Sequence, residues 1–209
     1  MIFDLSWPLD TTTTSYKNNK PLMITQLKDF ERDGVRDSNV TLNSHAGTHI
    51  DAPAHFLKDG STCDQIPLNT LIGTCTVLDL TNVTSHITAN DLLQYQHSLT
   101  QGARILLKTN NSSSAYNDPF NFEFIYLAKD AAQLLANAHI ALVGIDYLGI
   151  ERAQPNHETH SILMENNIVI VEGLRLAALT AGNYHLICLP LATKNLEAAP
   201  ARVIATPLT

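Results

Sequence analysis

The chain has 209 residues, of which 44% are hydrophobic and 16% charged, a composition that suits a buried core and excludes an intrinsically disordered protein. Its 20 acidic and 13 basic residues give a net charge of −7, which argues against nucleic acid or an anionic membrane surface as a partner. No segment stays apolar over the ~18 residues a membrane helix needs, and the opening MIFDLSWPLD has no basic stretch leading into a sustained apolar run, so a cytoplasmic protein without a secretory signal is expected.

In chain order, strand-length apolar or β-branched runs occur first at Leu22–Leu27 and Val40–Leu42, and a histidine-rich segment, HAGTHIDAPAH, follows directly. A strand is expected at Thr74–Leu80 and a helix over Thr88–Gln96, with Thr88 as N-cap and Asp91 three residues on. After a strand at Arg104–Lys108, the polar stretch Thr109–Glu123 lacks apolar periodicity and holds Pro119, which reads as a long surface loop and a candidate lid. Leu127, Ala131, Leu134, Leu135 and Ala138 recur at helical spacing, so Leu127–Ala138 is expected to be a helix running into a strand at Ile140–Ile145. A strand at Ile168–Val171 is then followed by an expected helix from Gly173 to Thr180, with Gly182 as its C′ residue. Two further strands are expected at His185–Leu189 and Arg202–Ala205.

Strands outnumber helices and do not alternate strictly with them. The expected fold is α/β, with mixed β-sheets and packed helices, in preference to a doubly wound or barrel fold. Residues 1–209 are expected to form a single domain, because no linker or internal repeat divides them. Cys63, Cys75 and Cys188 are odd in number and in no CxxC spacing, which favours buried apolar groups over a disulfide or a thiolate metal site.

The sharpest signal is the segment holding His45, His49, Asp51 and His55. Neutral imidazole and carboxylate form a ligand set suited to zinc, manganese or iron(II). On a regular helix Asp51 would lie about 200° round from His49, and along a straight strand His45 and His49 would be about 13 Å apart. Neither element gathers the four groups, so the segment is expected to curl as a loop, with Gly47 allowing a tight turn and Pro53 stopping any helix. The other histidines near strand ends and helix faces, His86, His97, His139, His157 and His185, read as ordinary structural residues.

HAGTHIDAPAHF resembles the H-x-G-T/A-H-x-D-x-P-x-H signature of the metal-dependent cyclase family, which includes kynurenine formamidases and isatin hydrolases. Weaker matching segments occur in the family's order: DLSWPL, GTCTVLDL, GARILLKT, IYLAKDAAQLLANAHIALVGID, HSILMENNIVIVEGL and the late LPL and APAR. The resemblance implies a swivelling β/β/α-like fold and a two-metal site. One ion would be held by His45, His49 and Asp51, and a second, bridged by Asp51, by His160 and Glu172. On pattern alone His160 would be an amphipathic helix position and Glu172 a helix-start residue. His55 matches the family's catalytic histidine. The implied cofactor is Zn2+, two ions per site, with Mn2+ equally suited to such donors.

The implied reaction is metal-assisted hydrolysis of an amide C–N bond in a small-molecule substrate, with His55 carrying a proton to the departing nitrogen. An aryl formamide such as N-formylkynurenine, giving kynurenine and formate, is the first substrate. The alternative is isatin hydrolase-like opening of a cyclic amide, imide or lactone at the same metals. The family also implies a homodimer or homotetramer. The sequence departs from the family pattern in having Gly149, Ile150 and Glu151 where many members have Ser-x-Asp. It also reads SYKNNKP, with Tyr16, in place of an aromatic residue before Pro-Gly, and Ala198 and Ala199 in place of a glycine before the late APAR.

Overall fold

The computed structural model describes residues 1–19 and 22–208; Lys20 and Pro21 of the SYKNNKP stretch, and Thr209, lie outside the described residues. The strands are β1 (Phe3–Asp4), β2 (Leu22–Lys28), β3 (Asp37–Leu42), β4 (His49–Asp51), β5 (Ile72–Asp79), β6 (His86–Ile87), β7 (Arg104–Lys108), β8 (Tyr126–Leu127), β9 (Leu142–Ile145), β10 (Val169–Glu172), β11 (Gly182–Pro190) and β12 (Ala198–Pro207). The α-helices are α1 (Phe30–Asp33), α2 (Leu68–Leu71), α3 (Ala89–Leu93), α4 (Lys129–Asn137) and α5 (Glu158–Glu165). No described helix is long and apolar enough to cross a membrane.

The main sheet runs β1-β12-β11-β5-β7-β9-β10-β4, and β4 also pairs with β12. Pairing is parallel from β5 through β7 and β9 to β10, and antiparallel at β10–β4, β4–β12, β12–β11 and β11–β5. The mixed sheet with packed helices is the architecture expected. The preference against a barrel is overturned, because the β4–β12 pair closes the sheet into a ring. That closing contact joins His49–Asp51 to Ala198–Pro200, segments too short or too proline-interrupted to carry a strand pattern of their own.

Alternation along the strands sorts the core into two layers. Ile105 and Leu107 of β7, Val143 and Ile145 of β9 and Ile170 of β10 pack outward with Ala131, Ala132 and Leu135 of α4 and Leu163 of α5. Leu106, Leu142, Val169 and Val171 point inward, with Ile50, Leu186, Cys188 and Val203. All three cysteines are buried and free, as expected.

The helix expected over Thr88–Gln96 forms at α3, where the Thr88 side chain accepts from Asp91 N–H while Asp91 accepts from Thr88 N–H. The one expected over Leu127–Ala138 is α4. The helix expected from Gly173 to Thr180 does not form: the segment is irregular, Leu174 bridges to Ser6, and Leu174, Leu176 and Leu179 are buried in the barrel interior. Apolar spacing there reports three side chains plugging the barrel, not one face of a helix.

The 109–123 loop is tied down. Asp146 accepts from the backbone N–H and the hydroxyl of both Thr109 and Ser112, and Asn111 exchanges hydrogen bonds with Ile125. Phe120 and Phe124, carried in this polar stretch and just after it, are buried among aromatic residues. Apart from the main sheet, β2 and β3 form a two-stranded ribbon whose Met23, Ile24, Leu27 and Val40 are exposed.

Candidate metal centre

The register of the closing strand assembles the site. Glu172 of β10 stands opposite His49 of β4, and Val171 opposite Ile50. Ile50 and Val171 belong to the barrel interior, so alternation turns His49, Asp51 and Glu172 outward on the sheet's other face. On that face His160 of α5 is brought against Asp51 and Glu172. The segment therefore curls only in part: His45 lies in a turn with Gly47 at φ +59°, His49 and Asp51 sit on a strand, and His55 ends a short 3-10 turn at Pro53–His55.

Asp51 is the common member of two donor sets. His45, His49 and Asp51 form one trio and Asp51, His160 and Glu172 the other, with ligand atoms of each trio within 4.8 Å of one another. His45 Nδ1 is 3.0 Å and His49 Nε2 3.5 Å from Asp51 Oδ1, while His160 Nε2 is 3.7 Å from Asp51 Oδ2. His49 Nε2 and His160 Nε2 each stand 3.4 Å from a Glu172 oxygen.

Three of these atoms, His49 Nε2 and both Asp51 oxygens, are buried without an aligned hydrogen-bond partner. Buried polar atoms are seldom left so, because an unpaired one costs about 1–3 kcal/mol. Orphaned lone pairs converging from imidazole and carboxylate fit a divalent cation, and these donors suit zinc and manganese alike. The electrostatics agree. Burial lowers the His49 pKa, but contacts with Glu172 and Asp51 override it and raise it to about 9. His160 is likewise raised, against burial, by Asp51, Glu151 and Glu172. Burial and the Asp51 charge push Glu172 up, yet His160 and His49 hold it at about 2. Asp51 is held low against burial by His160 and His45. Protons on His49 and His160 balance the carboxylates of Asp51 and Glu172 in the metal-free chain.

His55 belongs to neither trio. Its ring centroid is 4.3 Å from that of His45 and 5.9 Å from that of His160, and burial lowers its pKa, which keeps it neutral at neutral pH. All four histidines of the centre, with Glu172, line a cavity of about 320 Å³. Its remaining wall includes Tyr16, Lys17, Phe56, Gly149 and Glu151. Among the described residues, none of 109–123 lines this cavity; Phe120 instead backs Tyr16 edge-on, at 5.3 Å between ring centroids.

Sequence reasoning missed three neighbours. His157, read as an ordinary histidine, lines the cavity and lies against Glu151 Oε1. Glu151 appeared only as a departure from a signature, yet its Oε2 is 3.1 Å from His160 Nδ1. Glu197, fixed by a 2.7 Å hydrogen bond from Ser44, stands 3.5 Å from His45 Nε2. The offset of three residues between His157 and His160 was the one local signal for the first.

A family model described as a putative cyclase matches residues 3–152. The chain belongs to the cyclase family. A kynurenine formamidase from Bacillus cytotoxicus is 30% identical to this chain over 207 residues, 98% of this chain and 97% of that protein. The solved structure of a predicted metal-dependent hydrolase from Bacillus stearothermophilus shares 40% identity with a TM-score of 0.87, covering 98% of this chain and 97% of its own. Isatin hydrolase A from Labrenzia aggregata, at 21% identity and a TM-score of 0.85 over 100% of this chain and 94% of its own, shares the fold.

Proposed function

We propose that this chain is a metal-dependent amidohydrolase, residues 1–209 acting as a single catalytic domain, that cleaves an aryl formamide such as N-formylkynurenine to kynurenine and formate. The observation that carries the reading is Asp51, buried and shared by two donor trios whose other members line one cavity together with His55. His45, His49 and Asp51 would hold one ion, and Asp51, His160 and Glu172 a second, with zinc or manganese meeting the donor set equally well. When bound, a divalent ion lowers the pKa of water toward neutrality and polarises a carbonyl.

This chain's residues supply the rest. His55, neutral and outside both trios, takes a proton at the cavity and returns it to the departing nitrogen. Phe56 and Tyr16 give the cavity aromatic walls for an aryl ring, and about 320 Å³ suits a small molecule. Lys17 lines the mouth and offers a cation to the carboxylate of an amino-acid tail, which favours the formamide over isatin. The net charge of −7 argues against a nucleic-acid or anionic-membrane partner, and we place the chain in the cytoplasm. The exposed apolar ribbon of β2 and β3 supports a homodimer or homotetramer, since an isolated ribbon is marginal in water.

The test is hydrolysis of N-formylkynurenine by chelator-stripped protein restored with zinc or manganese, with isatin assayed in parallel. Metal-restored formamide turnover, abolished in His55→Ala with metal content unchanged, is expected. Turnover of isatin alone would replace the substrate by a cyclic amide, and unchanged turnover in His55→Ala would sink the role given to that residue.

A further inference from the structure

We propose that Glu151 is the positioning residue of the second donor trio, fixing the ring of His160 so that Nε2 faces Asp51 and Glu172 and Nδ1 keeps the proton. The inference rests on the metal-binding reading above and concerns a position where the sequence departs from its family's signature.

A single carboxylate oxygen grips His160 at two points. Glu151 Oε2 accepts from the His160 backbone N–H at 3.2 Å and lies 3.1 Å from ring Nδ1. The ring contact is short in distance but off-line in angle, an ion-pair approach and not a directed hydrogen bond. Its effect on the proton is nonetheless definite. A lone pair on Nδ1 facing a carboxylate oxygen at that distance would be repelled, so Nδ1 is the nitrogen that keeps its hydrogen when a cation takes the place of the proton on Nε2. Nε2 is the atom at 3.4 Å from Glu172 and 3.7 Å from Asp51.

Glu151 is itself held. It is 4% exposed, and its other oxygen meets His157 Nδ1. Asn156 and His157, at φ +56° and +51°, take consecutive left-handed conformations that place the His157 ring there, and the His157 side chain makes no cap bond to α5. Non-glycine residues take this region uncommonly and persist there where the surroundings require them. The backbone beside Glu151 serves the same trio, since Ile150 N–H donates to Glu172 Oε1 at 2.6 Å. Residues 150 and 151 thus orient both members of the trio that Asp51 does not supply. The longer glutamate spans from the loop after β9 to a ring on α5.

Calorimetric zinc titration of stripped protein tests this, comparing the unaltered chain with Glu151→Leu and Glu151→Gln. Two ions are expected for the unaltered chain. Glu151→Leu should bind one ion at the original affinity and the other about 10–100-fold more weakly, whereas Glu151→Gln, which keeps an acceptor oxygen, should stay within a few-fold at both. The unaffected first ion shows that the leucine variant has folded. Independently, ring ¹⁵N shifts of His160 in the zinc-loaded unaltered chain should place the proton on Nδ1. Equal two-ion affinities in Glu151→Leu, or a His160 proton on Nε2, would overturn the role of Glu151. Failure of the unaltered chain to bind zinc or manganese would instead remove the metal reading, and the inference with it.

Discussion

Gly173 links the two strands that carry the donors, and Gly173→Ala measures how tightly they are held. It follows Glu172, takes φ +67°, and a Cβ there would stand 2.5 Å from the Gly47 carbonyl oxygen and 3.1 Å from Thr48 Cα. These neighbours are backbone, locked by Thr48, whose hydroxyl donates to the Gly173 carbonyl and accepts from Trp7 N–H. The left-handed conformation costs alanine about 1–2 kcal/mol, and crowding a rigid region adds about 1–3 kcal/mol. Gly34 isolates the first contribution, because at φ +69° it has nothing within 4 Å. At roughly 2–4 °C per kcal/mol for a chain of this size, Gly173→Ala should lower the melting temperature of metal-free protein by about 4–20 °C and Gly34→Ala by about 2–8 °C. Only the former should also weaken zinc binding, since the displaced Gly47 lies two residues before His49. Equal melting shifts in the two variants would refute the reasoning.

His49 and Glu172 together should contribute most to the urea resistance of the metal-free protein between about pH 4.5 and 6.5. The folded pKa of His49 is raised from 6.5 to about 9, so its contribution is complete below 6.5 and is lost as pH rises toward 9; Glu172, lowered from 4.5 to about 2, contributes above 4.5 and fades on acidification. A urea midpoint still climbing from pH 6.5 to 9 would contradict this. Zinc binding at neutral pH should release protons, seen as a dependence of the calorimetric heat on buffer ionisation enthalpy; no such dependence would show His49 already neutral. Asp146→Ala strands the buried N–H groups of Thr109 and Ser112 and should cost roughly 2–6 kcal/mol by denaturant unfolding. Asp146→Asn keeps an acceptor and should cost far less, and equal losses would contradict the assignment. Burial pushes Cys63, Cys75 and Cys188 up to about 12, so a thiol reagent should label none in native protein and all three after denaturation.

The residues of the centre divide by how far apart in sequence their partners lie. His45, His49, Asp51 and His55 were legible because they fall within one short segment and combine metal-type donors with Gly47 and Pro53. His160 and Glu172 carried no signal of their own; a histidine on an amphipathic helix and a glutamate after an apolar run have ordinary readings, and only the family resemblance singled them out. Most strands were visible as apolar runs, whereas the closure of the barrel was not, since β4 is three residues long and β12 contains Pro200. The same ambiguity misled the reading of 173–180, where buried leucines fit a helix face or a barrel plug equally well. Glu151 and Glu197 were silent because an acidic residue in a loop is usually solvated, and only the fold shows which histidine each one faces.

The closing contact has a consequence for how the protein is made. Among the described residues, His49–Asp51 has its β-partners in Val169–Glu172 and Ala198–Pro200. At ~5–20 residues per second of translation, a ribosome needs on the order of 10–30 s to pass from the first of these segments to the last. During that interval the histidine-bearing strand emerges with no sheet to join, and its imidazole and carboxylate groups stand apart from Glu172. Assembly of the full donor set is therefore a late event, set by arrival of the distal strands.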